Sequence, residues 1–215
     1  MVGTGVLIEC LEDTRVSEVL VVGRTPCGVA HPKVREVIRS DFFDFTDLRP
    51  ALAGYDACFF CLGVSAAGKT EAAYYHLTYD LTIAAAEAIA AVNSGLTFCY
   101  VSGEGTDSSE HGRVMWARVK GKTENQLLRM PFKAYMFRPG YIHPLKGVRS
   151  KTAMYRAAAA VFRVLYPLLR IVAARYVTTS VNVGRAMINV AATGYAKPVL
   201  ENPDIDLVAV GQGAR

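Results

Sequence analysis

The sequence predicts an α/β fold built on a doubly wound parallel sheet, and three observations carry that prediction. First, short and almost wholly apolar runs recur along the chain, VLVVG at 19–23, ACFFCL at 57–62 and TFCYV at 97–101, with helix-like stretches between them. Strands of a parallel sheet are buried on both faces, so they read as continuous rather than alternating hydrophobics. Second, 52% of the 215 residues are hydrophobic, which suits one α/β domain with a core of its own and leaves too little chain for two large ones. Third, Ser102 follows a strand and Lys120 falls in the next helix. That order puts both side chains at one rim of an open sheet, where ligands bind.

Taken in order, the chain begins with a glycine turn running into a helix, because Val6, Leu7, Cys10 and Leu11 share one face at helical spacing. Val19–Gly23 is a buried strand ending in Arg24, and Val34–Ser40 alternates enough to be the next. Ala57–Leu62 is another strand, and Gly63 after it lets the backbone approach a ligand closely. An Ala-rich helix is expected over Leu77–Asn93, closed by Ser94-Gly95. Thr97–Val101 is a buried strand, followed by a glycine- and serine-rich turn and a helix from about Val114 that carries Trp116 and Lys120. Lys133–Arg138 is a strand ending in the turn Arg138-Pro139-Gly140-Tyr141. Residues 152–175 read as an apolar helix with Arg156, Arg163 and Arg170 in one stripe, divided by Pro167. Ser180–Thr193 is a helix, and PVLENP at 198–203 is a short returning strand.

Charge is distributed unevenly. Residues 1–112 carry 7 Lys/Arg against 15 Asp/Glu, and residues 113–175 carry 14 against one, Glu124. A basic region of that kind attracts a phosphorylated ligand, an anionic membrane or an acidic partner. No nucleic-acid module accompanies it, so no nucleic-acid partner is expected. The arginine stripe suits an interfacial helix on anionic lipid, a cover for a pocket, or a homodimer contact. The segment is too interrupted by charge to span a bilayer. Five cysteines without a secretory leader pattern lead us to expect a reducing, cytoplasmic compartment, with the protein membrane-peripheral if that helix docks. Cys58 and Cys61 point to opposite faces of a strand, which makes them buried strand thiols rather than a redox pair. The spacing of His31, His76, His111 and His143 supports no metal site.

The motif order, helix, VVGR, SDFFD, CFFCLG, YVSGEG, WARVKGKTE, RPG and VLEN, resembles the atypical short-chain dehydrogenase/reductases. The likeness is strongest to NAD-dependent epimerase/dehydratase-like proteins and Tat-interacting oxidoreductase relatives, and it covers the chain from Gly3 to about Asp206. The resemblance implies a Rossmann-type sheet over residues 1–147 as the dinucleotide-binding domain, completed by a small helical C-terminal lobe over 148–215. Gly3 would be the third glycine of the family's glycine turn; the first strand and the first two glycines are absent. We therefore expect Met1 to be an internal methionine of the natural product. Arg24 stands where the family places an acid for the adenosine ribose in NAD-dependent members. A guanidinium there pairs with a 2′-phosphate, so NADP is expected over NAD. Asp41 and Phe42 match the family's adenine-side pair, Leu62 and Gly63 the nicotinamide-side loop, and Pro139, Gly140 and Tyr141 the turn lining the nicotinamide pocket.

In the family a Tyr relays the proton to the substrate, a Lys four residues on lowers that Tyr's pKa and holds the ribose, and a Ser orients the carbonyl. Ser102 and Lys120 occupy two of those places; the third holds Trp116, whose indole N–H is a donor without a useful acid–base pKa. His111, Tyr141 and His143 are candidates to replace it, each with a pocket-wall or surface role as the rival. Two functions therefore stay open: an NADP-dependent oxidoreductase or epimerase acting on a small molecule, and a non-catalytic dinucleotide-binding sensor or scaffold.

Overall fold

The computed structural model describes residues 1–148 and 173–211. The arginine-striped segment at 152–175 therefore lies outside the described residues except for its last three. Helix α1 (Val2–Glu12) leads into β1 (Val19–Gly23) and β2 (Val34–Ile38). After α2 (Arg49–Leu52) and β3 (Ala57–Phe60) comes one long helical stretch: α3 (Glu71–Tyr75), a π turn (His76–Asp80) and α4 (Leu81–Ala90). It starts earlier than expected because Thr70 caps it, its hydroxyl accepting from the Ala73 N–H at 3.3 Å, with Glu71 in the first turn. Then follow β4 (Thr97–Val101), α5 (Met115–Leu127), β5 (Lys133–Arg138), β6 (Tyr141–His143), β7 (Val177–Thr179), α6 (Ser180–Thr193), β8 (Val199–Glu201) and α7 (Asn202–Ala209). The short β6–β7 pair had no signal in the sequence, and β2 stops at Ile38 rather than Ser40.

All ladders are parallel, and the sheet is split. β1 pairs with β2 from Val19↔Val34 to Gly23↔Ile38, while β3-β4-β5-β8 form a separate sheet in that order. Among the described residues no strand joins β1 to β3, although α1 packs against both. This is the doubly wound sheet without its central strand that the motif order implied. Backbone direction shows which groups face the split. Val19 N–H donates to Lys33 and the Gly23 carbonyl accepts from Arg39, so the alternating backbone groups of Leu20 and Val22 point away from β2. On β3 the Asp56 carbonyl accepts from Thr97, which turns Ala57 and Phe59 the other way.

The strands β3, β4, β5 and β8 divide their side chains between two cores, as period two requires. Phe60, Phe98, Tyr100 and Met136 join one cluster with Ile83, Ala86 and Ile89 of α4 and Leu127 of α5. Cys99, Phe137 and Leu200 join the opposite one with Val6 and Cys10 of α1, Val183 and Met187 of α6, and Ile205 of α7. The two helical layers leave the carboxyl ends of β1, β3, β4 and β5 at one rim. Among the described residues no helix is long and apolar enough to cross a membrane.

Candidate functional site

At that rim lies a pocket of about 200 Å³. Strand ends supply Arg24, Leu62, Gly63 and Val101; the loop after β2 supplies Ser40, Phe42 and Phe43; the long helical stretch supplies Tyr74, Leu77, Thr78, Leu81 and Thr82. Phe60 and Tyr100 also line it, and Lys120 reaches in from α5. Arg24, Phe42, Leu62, Gly63 and Lys120, five positions singled out from sequence and spread over nearly a hundred residues, thus meet in one cavity.

Lys120 is held from three sides. Its ammonium donates to the Ser102 carbonyl, stands 5.9 Å from the centre of the Trp116 ring, and lies 3.7 Å from where a Cβ on Gly103 would be. Burial pushes its pKa below the ordinary lysine value, and nearby Glu124 opposes that shift. Ser102 is almost wholly buried, and its hydroxyl donates to the Phe137 carbonyl at 3.2 Å. Serine and lysine are therefore linked through the serine backbone, with the hydroxyl directed to β5. Trp116 does not line the pocket; its ring lies over Gly105, 3.4 Å from the position a Cβ would take there.

The other candidates separate from the pocket. Gly3 sits on α1 against Cys61, its Cβ position 3.3 Å from that side chain. Asp41 turns its own loop, its carboxylate accepting from the Phe43 N–H at 2.7 Å, which is a local Asx turn. Pro139 accepts from the Glu104 N–H at 3.0 Å, and Gly140 donates to Asn202 at 3.0 Å. A Cβ on Gly140 would lie 2.3 Å from the Tyr176 carbonyl and 2.6 Å from a Glu104 carboxylate oxygen, so only glycine fits that turn. Tyr141 is half-buried and His143 buried, their rings 6.4 Å apart on β6. His111 is exposed in the loop after β4.

Three groups escaped the sequence reading. Arg138 of the RPG turn clamps the rim: its Nε donates to buried Glu124 at 3.0 Å, a second nitrogen bonds the other Glu124 oxygen, and Glu201 accepts at 3.3 Å. Glu104 packs beside Gly140, and burial together with the Glu201 charge raises its pKa, partly offset by Arg175. Asp107 folds the loop after β4 back on itself, accepting from Ser109 N–H at 3.0 Å and Gly112 N–H at 2.7 Å. Spacing alone carried no signal for these contacts, because each joins segments far apart or within an irregular loop. The five cysteines are free thiols; β3 ends at Phe60 rather than Leu62, so Cys58 is a half-buried strand thiol and half-buried Cys61 lies just beyond the strand, and desolvation pushes both up to about 12. Among the described residues no group of His, Cys, Asp or Glu is arranged to hold a metal ion.

No family model matches the chain. The leucinostatins biosynthesis cluster protein T of Purpureocillium lilacinum is 28% identical over 133 residues, 60% of this chain and 49% of that protein. The chain thus spans about half the length of that curated relative. Among solved structures, the Bordetella bronchiseptica enzyme WbmF in complex with NAD+ superposes with a TM-score of 0.64 at 16% identity, over 100% of this chain and 76% of its own. RMD from Pseudomonas aeruginosa, complexed with NADPH, gives 0.55 at 20% identity, over 79% and 68%. The chain shares the α/β fold of these enzymes. In that fold the rim described above is the carboxyl edge of the sheet, the place where open α/β sheets take their ligands.

Proposed function

We propose that this is an NAD(P)-binding protein of the epimerase/dehydratase-like type, taking NADP in preference to NAD and acting as an oxidoreductase on a small molecule. The observation that carries it is the convergence of Arg24, Phe42, Leu62, Gly63 and Lys120 on one pocket. The residues fit such a group chemically. Arg24 offers a guanidinium for a 2′-phosphate, Phe42 an apolar wall for a base, and Lys120 a desolvated cation for ribose hydroxyls or phosphate. At about 200 Å³ the pocket is smaller than the roughly 300–1,000 Å³ usual for drug-sized ligands, so it takes part of a dinucleotide. A bound nicotinamide would supply hydride chemistry; the chain's part is to hold and orient it.

A second reading, a sensor that binds the dinucleotide without turnover, is favoured by Trp116. Its indole lies on Gly105 outside the pocket, where a family enzyme would place a proton relay. Titrating NADPH and NADH against the protein and Arg24→Ala tests the first proposal. NADPH should bind more tightly, and the variant should lose about 1.5–3 kcal/mol, or one to two decades, for NADPH alone. An unchanged preference refutes the assignment of Arg24. Turnover of bound NADPH with carbonyl substrates separates the oxidoreductase from the sensor.

A further inference from the structure

Phe43, at the edge of the pocket, is 39% exposed, and His76 covers one face of its ring. The two rings stack with centroids 4.2 Å apart and planes within 2°. His76 Nδ1 in turn lies 2.9 Å from an Asp80 carboxylate oxygen. The stack ties together two walls of the pocket: the loop carrying Ser40, Phe42 and Phe43, and the helical stretch carrying Leu77 and Thr78. His76 is also the first residue of the π turn. Such turns are rare, hold one residue more than an α turn, and concentrate at functional sites. Tightening it to α-helix would carry His76 around the helix and away from Phe43. Within the same turn the Thr78 hydroxyl is buried in the pocket wall beside the Tyr74 phenol. An aromatic face, a guanidinium at Arg24 and a buried hydroxyl in one cavity suit a phosphorylated nucleoside with a planar base.

We propose that the Phe43–His76 stack is a latch across the adenine end of the pocket, and that a purine nucleotide binds by taking the place of His76 against Phe43. The inference rests on the reading of the pocket as a dinucleotide site and adds how that site opens. Ring against ring, His76 competes with the incoming base for the same face, so binding must first undo the stack. Removing the competitor then strengthens binding, whereas removing the shared face weakens it.

Calorimetric titration of adenosine 2′,5′-bisphosphate and NADPH against the protein, His76→Ala and Phe43→Ala is the test. Both side chains are exposed enough for the variants to fold. His76→Ala should bind both nucleotides about 2- to 10-fold tighter, and Phe43→Ala should bind them weaker by a similar factor. In the double variant the gain from His76→Ala should vanish. If the protein binds NADPH and His76→Ala binds it equally or more weakly, the latch is wrong while the cofactor reading stands. If none of the proteins binds either nucleotide, the cofactor reading falls and the latch with it.

Discussion

Replacing Gly121 by alanine sets two effects against each other, and the structure decides which wins. Gly121 lies inside α5, where alanine is the better helix former by about 0.8–1.0 kcal/mol. A Cβ there, however, would stand 1.7 Å from the Asp107 carbonyl oxygen, 2.5 Å from its carbon and 3.1 Å from the Ser108 nitrogen. All three are backbone atoms, so no side chain can turn aside, and the loop after β4 must lift off the helix. Lifting it strains or breaks the Asp107 N–H to Ala117 carbonyl bond at 3.1 Å and the Asn125 amide to Ser108 carbonyl bond at 2.9 Å. Overpacking costs about 1–3 kcal/mol and each hydrogen bond about 0.5–1.5, so the net loss after the helix gain is about 1–5 kcal/mol. For a chain of this size that is a fall in Tm of roughly 2–20 °C. Thermal unfolding measures it, and the fluorescence of Trp116, which rests on Gly105 of the same loop, should change in the folded variant. Because Lys120 and the Ser102 turn flank this contact, nucleotide affinity should fall as well. An unchanged or raised Tm would mean that the loop does not rest on the helix as described, and would refute the reasoning.

Three more outcomes are expected. Arg138→Leu leaves Glu124, 1% exposed, as a buried charge without its clamp, and should cost about 3–5 kcal/mol in urea unfolding; adding Glu124→Leu should recover much of that. Hydrogen exchange should be faster at the amides of Leu20, Val22, Ala57 and Phe59, which face the split, than at Val21, Cys58 and Phe60, which bond their neighbours; equal protection would show the split closed. Burial pushes the thiols of Cys10, Cys58 and Cys61 from the ordinary 9 up to about 12. Between those values the folded state keeps protons that the unfolded chain loses, so stability holds below pH 9 and falls from 9 toward 12, by about 1.4 kcal/mol per pH unit per thiol. Denaturant melts across that range check the sign, and slow reaction with thiol reagents at pH 8 is expected of the same groups.

By itself the sequence determined the layering, the parallel sheet and its gap. The run TFCYV is almost wholly apolar, and a strand covered on both faces buries nearly all of it; Phe98 and Cys99 accordingly enter opposite cores. The same linear reading placed Arg24, Gly63 and Lys120 at strand ends and in the following helix, because topology carries every such position to one rim. What linear order cannot hold is the direction of a side chain at that rim. Ser102 turned to the Phe137 carbonyl, Asp41 closed its own turn, and Trp116 lay down on Gly105, each drawn to the nearest partner that satisfied it. The Arg138–Glu124 clamp, the Glu104 carboxyl beside Gly140 and the Phe43–His76 stack join residues from separate elements, and no periodicity records such a meeting. Tertiary structure alone decided them, since buried polar groups take partners by distance in space rather than by spacing along the chain.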